Sequence, residues 1–241
     1  MLKGKSVLIV TGSVRRALIA IEAAENNAIQ GLDQGLIETE PSFTDRLLGG
    51  MEVAFSAGNK GLRADQFDLK LRTLRDRGAN APEREFGADL VCVFDSNIKG
   101  CTLGKGVLVQ AKKAGSGGVT ISPGNHRYPE ICAAISKRDP SCPNSLFAQC
   151  ESMLSITPDS FVFVYCSDGI FVVPAISVVS LEVGGNPKNI YSKSLRYFML
   201  DFMQCFLGDA LINAVDDDTL RKVRERVRAR SAMMLSIQER G

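Results

Sequence analysis

Apolar residues recur at helical spacing in two early stretches of the chain. Ala17, Leu18, Ile21, Ala24 and Ala28 predict a helix from Ser13, a capping residue, to about Leu32. Leu47, Leu48, Met51 and Phe55 predict a second, from Phe43 to about Phe55, which Ser42 or Thr44 can cap. Ahead of both, Val7 to Val10 reads as a first strand or an extended arm. After a turn at Gly58 to Gly61 the period changes to two. Phe67, Leu69 and Leu71 alternate with polar residues, as in a half-buried strand, and a loop follows from Asp76 to Pro82. Leu90-Val91-Cys92-Val93-Phe94 and Gly106-Val107-Leu108-Val109-Gln110 are runs for strands buried on both faces, and the second continues into Ala111-Lys112-Lys113. A Gly/Ser/Pro-rich loop spans Ala114 to Pro129. A helix is expected from Asn144 to about Ile156, with Leu146, Phe147, Cys150, Met153 and Leu154 inward. Phe161 to Tyr165 and Ile170 to Val173 are short strands around the turn Ser167-Asp168-Gly169. Two helices, about Ser192 to Ala214 and about Asp218 to Gln238, close the chain. Phe198, Phe202 and Phe206, at i, i+4 and i+8, are core residues of the first. The order of elements implies a mixed α/β or α+β domain.

Composition narrows the chemistry. At 241 residues and 45% hydrophobic, the chain can fill one core. Its 29 basic and 27 acidic residues leave a net charge of +2, so nucleic acid could be bound only through a local basic patch. The single histidine, His126, excludes zinc sites built on two or three histidines, and any Ser-His or Cys-His pair would have to use it. Seven cysteines, an odd number without a C-x-x-C pair, argue against a disulfide scaffold or zinc ribbon and point to a reducing cytoplasm. Cys92, Cys166 and Cys205 stand in apolar runs, where cysteine acts as a small hydrophobe. The N-terminal apolar run is too short for a signal peptide, and Phe161 to Val183 is broken by Asp168-Gly169 and Pro174, so no membrane span is expected.

Three motif fragments fail on their own terms. Val7 to Ser13 carries one glycine where a dinucleotide fingerprint needs three. Gly100-Cys101-Thr102-Leu103-Gly104-Lys105-Gly106 is a residue short of a phosphate loop, lacks the hydroxyl after its lysine and precedes a strand, so it reads as a hairpin turn. Asp216-Asp217-Asp218 lacks the ligand alternation of a calcium loop and suits the start of a helix.

One constellation survives. Asp89 heads a buried strand in Glu85-Phe86-Gly87-Ala88-Asp89-Leu90. Twenty-one positions later, Gln110-Ala111-Lys112 ends another. If the two strands pair as a hairpin, Asp89, Gln110 and Lys112 project on the same side. Asp89 is a hard anionic ligand for Mg²⁺ or Mn²⁺, and the Gln110 amide and the Ala111 carbonyl offer neutral oxygens. Lys112 would orient the attacking water and stabilise charge on a scissile phosphate.

Gly-Ala-Asp followed by Gln-Ala-Lys resembles the PD-(D/E)XK nuclease superfamily, and most of all its Gln-x-Lys branch of Mrr-like restriction endonucleases and related bacterial defence DNases. The resemblance implies a restriction-endonuclease-like mixed sheet flanked by helices. Its core would run from about residue 43 to 175, with an N-terminal extension over 1–42 and a C-terminal helical region over 190–241. It also implies a metal-binding glutamate on the first core helix. Glu40 is preferred for that place, because Glu40-Pro41-x-x-Thr44 resembles the family's helix start; Glu52 and Asp45 are the other candidates. Glu85 could face the same site. Gln149, on the helix after Gln-x-Lys, stands where some relatives turn a glutamine toward substrate. Gln110 replaces the usual acid, which removes one negative charge from the metal shell.

Surrounding charge suits a polyanion. Lys112 and Lys113 open a loop carrying His126 and Arg127, and Gly115 to Gly118 would let backbone approach a phosphate. Arg221, Lys222, Arg224, Arg226, Arg228 and Arg230 surround an apolar line of Leu220, Val223 and Val227. That face is either solvated or tracks phosphates, with Arg224 and Arg228 the candidates, or it contacts another copy. The expected function is Mg²⁺- or Mn²⁺-dependent cleavage of DNA in defence or restriction, in a homo-oligomer or with a partner protein supplying target recognition or activation. A non-catalytic nucleic-acid-binding or scaffold subunit, and an RNase using the same residues, are the alternatives.

Overall fold

The computed structural model of the chain describes residues 5–59, 67–75, 88–98, 101–114, 145–182 and 190–239. Two long helices come first, α1 (Lys5–Asp33) and α2 (Glu40–Asn59), followed by strands β1 (Phe67–Arg75), β2 (Leu90–Ile98) and β3 (Cys101–Lys113). Next come helix α3 (Leu146–Ile156), strands β4 (Ser160–Cys166) and β5 (Gly169–Pro174), and helix α4 (Ala175–Glu182). The remainder is the short strand β6 (Lys193–Ser194), helices α5 (Leu195–Met203) and α6 (Asp217–Arg226), and strand β7 (Ser231–Glu239).

The strands form one mixed sheet in the order β1-β7-β2-β3-β4-β5-β6. β2 and β3 are an antiparallel hairpin, and β4 returns parallel to β3 after α3. All but the first residue of the apparent phosphate loop, from Cys101 on, is therefore ladder rather than turn, with Ile98 opposite Cys101. Side-chain alternation divides the core in two. Leu90, Cys92, Phe94, Val107, Val109 and Ala111 face α1, α2 and α5. Val91, Val93, Leu108, Val162 and Val164 face α3, α4 and α6. Burial of each of the valine, leucine and phenylalanine side chains contributes about 1.5–3 kcal/mol, so the doubly covered central strands dominate stability.

Several expectations are corrected. Val7 to Val10 belong to α1, not to a strand, and Ser13 lies inside that helix, where its Oγ accepts from Arg16 at 3.1 Å. α2 begins at Glu40, earlier than Phe43, because Thr39 caps it: its Oγ1 accepts from the Ser42 N–H at 3.3 Å. α2 also continues through Gly58 to Asn59, where a turn was expected. The helix expected over 192–214 is α5 alone. Past Met203 the chain turns through Cys205, at φ 68°, which is exposed and not a core residue, and Phe206 is 74% exposed.

The largest correction is at the C-terminal end. The helix expected over 218–238 is only α6. Asp216 caps it through a reciprocal pair with Thr219, consistent with the acidic run as a helix start. Arg228 ends it in the left-handed region at φ 54°, where the Arg228 and Ala229 N–H groups donate back to Glu225 and Arg224. The chain then enters β7, parallel to β2 and antiparallel to β1, with Ser231 through Ile237 all buried. A segment outside the expected core thus supplies a central strand. Among the described residues no helix is long and apolar enough to cross a membrane.

Candidate functional site

β3 is longer than the neighbour it leaves behind. Its pairing with β2 ends at Leu90 opposite Val109, while its pairing with β4 continues from Leu108 to Lys113. The Leu108 and Ala114 N–H groups donate to Asp159 and Tyr165, on the β4 side. The alternate amides of Ala111 and Lys113 therefore point to the β2 side, past the start of that strand, where no ladder partner remains. Two carboxylates take their place. Asp89 Oδ2 accepts from the Ala111 N–H at 2.9 Å, and Glu40 Oε1 accepts from the Lys113 N–H at 2.9 Å.

The side chains of the same overhang complete a cluster. Gln110, only 3% exposed, donates its Nε2 to Asp89 Oδ2 and, at 3.3 Å, to the Ala111 carbonyl. Its Oε1 is buried and has no hydrogen-bond partner among the described residues, a costly state for a polar atom. Lys112 Nζ lies 3.8 Å from Glu40 Oε2, and Lys113 Nζ donates to the Glu38 carbonyl at 3.3 Å. Asp89, Gln110, Lys112 and Glu40 are thus brought together as expected. Glu52 is not among them: it accepts from Thr73 on β1.

Glu40 is held in place from beneath. Phe43 stacks on Tyr165 of β4 with ring centroids 4.1 Å apart. Thr44 Oγ1 donates to the Glu40 carbonyl at 3.1 Å, so the Tyr165 hydroxyl, 2.8 Å away, donates to Thr44. Burial pushes the Tyr165 phenol up, and the Asp89 and Glu40 charges push it the same way. This buried pair anchors the first turn of α2 to the sheet.

Burial also holds the Asp89 carboxyl above the usual carboxylate range. The Ala111 N–H and the Lys112 and Arg230 charges pull it down, while Glu40 pushes it up. Arg230 is the residue that the sequence reading of this site missed. The sequence pattern predicts it on a basic helix; the parallel register of Leu90 with Ser231, and the Ser231 N–H donated to the Asp89 carbonyl at 2.9 Å, bring it beside Asp89 instead. Pro41, Thr44, Asp89, Arg230 and Ser231 line a small recess there. Only the register of β7 could have revealed it, and that strand's helix-like composition hid it.

The other expected contributors lie elsewhere. Gln149 sits on α3 with its Oε1 buried and unpartnered among the described residues; Lys112 lies close enough to the next residue, Cys150, to lower its thiol against the larger effect of burial. Arg224 is half-buried on α6, and Arg228 is exposed in its C-terminal turn. Glu85, His126 and Arg127 fall outside the described residues.

The carboxylate, amide and carbonyl oxygens of Asp89, Glu40, Gln110 and Ala111 are ligands that suit a hard divalent cation. Among the described residues no three His, Cys, Asp or Glu side chains gather as a metal-binding group, so such an ion would depend on the Gln110 amide and the Ala111 carbonyl. The unpartnered Gln110 Oε1 is the feature that fits it: turning that amide toward a cation would satisfy the buried oxygen. No family model, no curated protein and no solved structure matches this chain.

Proposed function

We propose that the chain is a metal-dependent endonuclease with a restriction-endonuclease-like fold, a cytoplasmic protein of bacterial defence or restriction that hydrolyses DNA phosphodiester bonds. The observation that carries this reading is the convergence, at the overhanging end of β3, of Asp89, Glu40 and Lys112 around a buried Gln110 oxygen without a partner. A helix, an antiparallel hairpin, a second helix and a strand parallel to β3 frame it, within a mixed sheet flanked by helices. Mg²⁺ or Mn²⁺ would be held by Asp89, the Gln110 amide oxygen, the Ala111 carbonyl and Glu40, and would supply Lewis acidity toward the phosphate and toward water.

The chain's own groups divide the remaining work. Lys112 brings an ammonium to the strand end, where it can hold a water by hydrogen bond and stabilise negative charge building on a phosphate oxygen. Glu40 keeps Lys112 in place and, through the Lys113 N–H, is itself fixed to β3. Asp89 is fixed by the Ala111 N–H, so both carboxylates are aimed before substrate arrives.

A second reading has an observation of its own. Each carboxylate already serves as acceptor for an overhanging backbone amide, which is sufficient reason for a nucleic-acid-binding or scaffold chain to carry it. Supercoiled plasmid incubated with Mg²⁺ or Mn²⁺ separates the two. Nicking by wild type that is lost in Lys112→Ala and Asp89→Asn supports the nuclease. DNA binding without cleavage under either metal supports the second reading, and cleavage confined to an RNA substrate moves the activity to RNA.

A further inference from the structure

We propose that Arg230 forms, with Lys112, the seat for a backbone phosphate of the DNA substrate. The proposal rests on the nuclease reading of the site and adds a residue from a segment which that reading does not use. Asp89 heads β2, and its two neighbouring strands each bring one cation to it. Lys112 comes from β3, where Leu90 pairs with Val109. Arg230 comes from the start of β7, where Leu90 pairs with Ser231.

Three observations favour a ligand over a purely structural partner. Arg230 is exposed, and among the described residues it makes no ion pair, so its guanidinium fork stays open. It opens onto the recess whose other walls are Pro41 and Thr44 of α2 and Asp89 itself. Its backbone is fixed nonetheless, because the next residue, Ser231, is buried and donates its N–H to the Asp89 carbonyl at 2.9 Å. A planar donor on an anchored backbone, on the strand that flanks β2 on the side away from that of Lys112, suits the bidentate geometry of a phosphodiester.

The test measures binding of a short fluorescein-labelled DNA duplex by anisotropy, across a KCl series without divalent metal, for wild type, Arg230→Ala and Arg230→Lys. Arg230→Ala is expected to weaken binding about five- to tenfold and to lower the salt slope by about one. Arg230→Lys keeps the slope and recovers part of the affinity. In plasmid cleavage, Arg230→Ala raises KM with kcat retained, as loss of phosphate binding shared equally by ground and transition states requires. Far-UV circular dichroism and Tm of each variant show whether the fold is intact. An unchanged slope and KM in a folded Arg230→Ala overturns the proposal, as does a fall in Tm shared by Arg230→Ala and Arg230→Lys with binding per folded molecule unaltered. If wild type binds DNA but never cuts it, the nuclease reading falls while a lost slope still upholds Arg230. A wild type that binds no DNA ends both.

Discussion

Replacing Asp89 by asparagine and by alanine separates what its shape does from what its charge does. The Ala111 N–H reaches past the start of β2 and finds its acceptor in Asp89 Oδ2, at 2.9 Å. Asparagine keeps an oxygen there; alanine does not. Both variants are neutral, so the difference between them reports the buried donors that lose their acceptor, the Ala111 N–H and the Gln110 amide, and the backbone donor by itself costs about 1–3 kcal/mol. In a chain of this size each kcal/mol moves Tm by roughly 2–4 °C, so Asp89→Ala should melt roughly 2–12 °C below Asp89→Asn. Charge acts in the opposite direction. Burial raises the Asp89 carboxyl above its unfolded value. A carboxyl so raised favours the fold most below the unfolded pKa of about 3.9 and loses that contribution as pH rises through the folded value. Asp89→Asn is therefore at least as stable as wild type at pH 7, and the gap closes as pH falls toward about 4. The chain has no tryptophan, so urea unfolding followed by far-UV circular dichroism is the suitable assay. Equal stability of the two variants, or an Asp89→Asn as damaged as Asp89→Ala, would show that Asp89 does not cap the overhang.

Three further outcomes are expected. Burial pushes the thiols of Cys92 and Cys150 up to about 12, so both stay protonated in the fold at pH 10 while unfolded thiols ionise near about 8.5; stability should fall by about 2 kcal/mol for each between pH 8 and 10, a slope that a Cys92→Ala/Cys150→Ala variant flattens in pH-dependent urea titrations. Gly106→Ala places a Cβ 2.6 Å from the Ile212 carbonyl oxygen and 2.9 Å from that of Cys92, contacts that only backbone movement can relieve; a loss of about 3 kcal/mol or more is expected, and a loss under about 0.5 kcal/mol would contradict the packing of the 209–214 segment on β3. Arg228→Gly removes a left-handed non-glycine residue from the turn after α6 and should raise stability by about 0.5–1 kcal/mol; an unchanged or lower Tm would refute that origin of strain.

The part of the site built on the β2–β3 hairpin was legible because its signals are local. A buried run headed by Asp89 and one ending in Gln110-Ala111-Lys112 need only antiparallel pairing to meet, and that register is what the sheet has. Glu40 was favoured over Glu52 on the likeness of its helix start. The structure gives a reason in the Thr39 cap, which starts α2 at Glu40 and turns its carboxylate to the Lys113 N–H. β7 was not legible. Ser-Ala-Met-Met-Leu-Ser-Ile is buried on both faces, so it lacks a period of two, and alanine, methionine and leucine favour helices in isolation. It follows a genuine amphipathic helix whose stop is an arginine in a conformation usually given to glycine, so nothing local marks the change. Tertiary burial between β1 and β2 overrides propensity there, and the misreading also concealed Arg230.

Crystals grown in Mn²⁺, with diffraction collected at the manganese absorption edge, bear most directly on the proposed site. A peak of anomalous density within coordination distance of Asp89, the Gln110 amide oxygen and the Ala111 carbonyl, with Glu40 alongside and lost in Asp89→Asn, is the expected result. Its absence under saturating Mn²⁺, or a peak held by other residues while this cluster keeps its metal-free hydrogen bonds, would contradict the site as drawn.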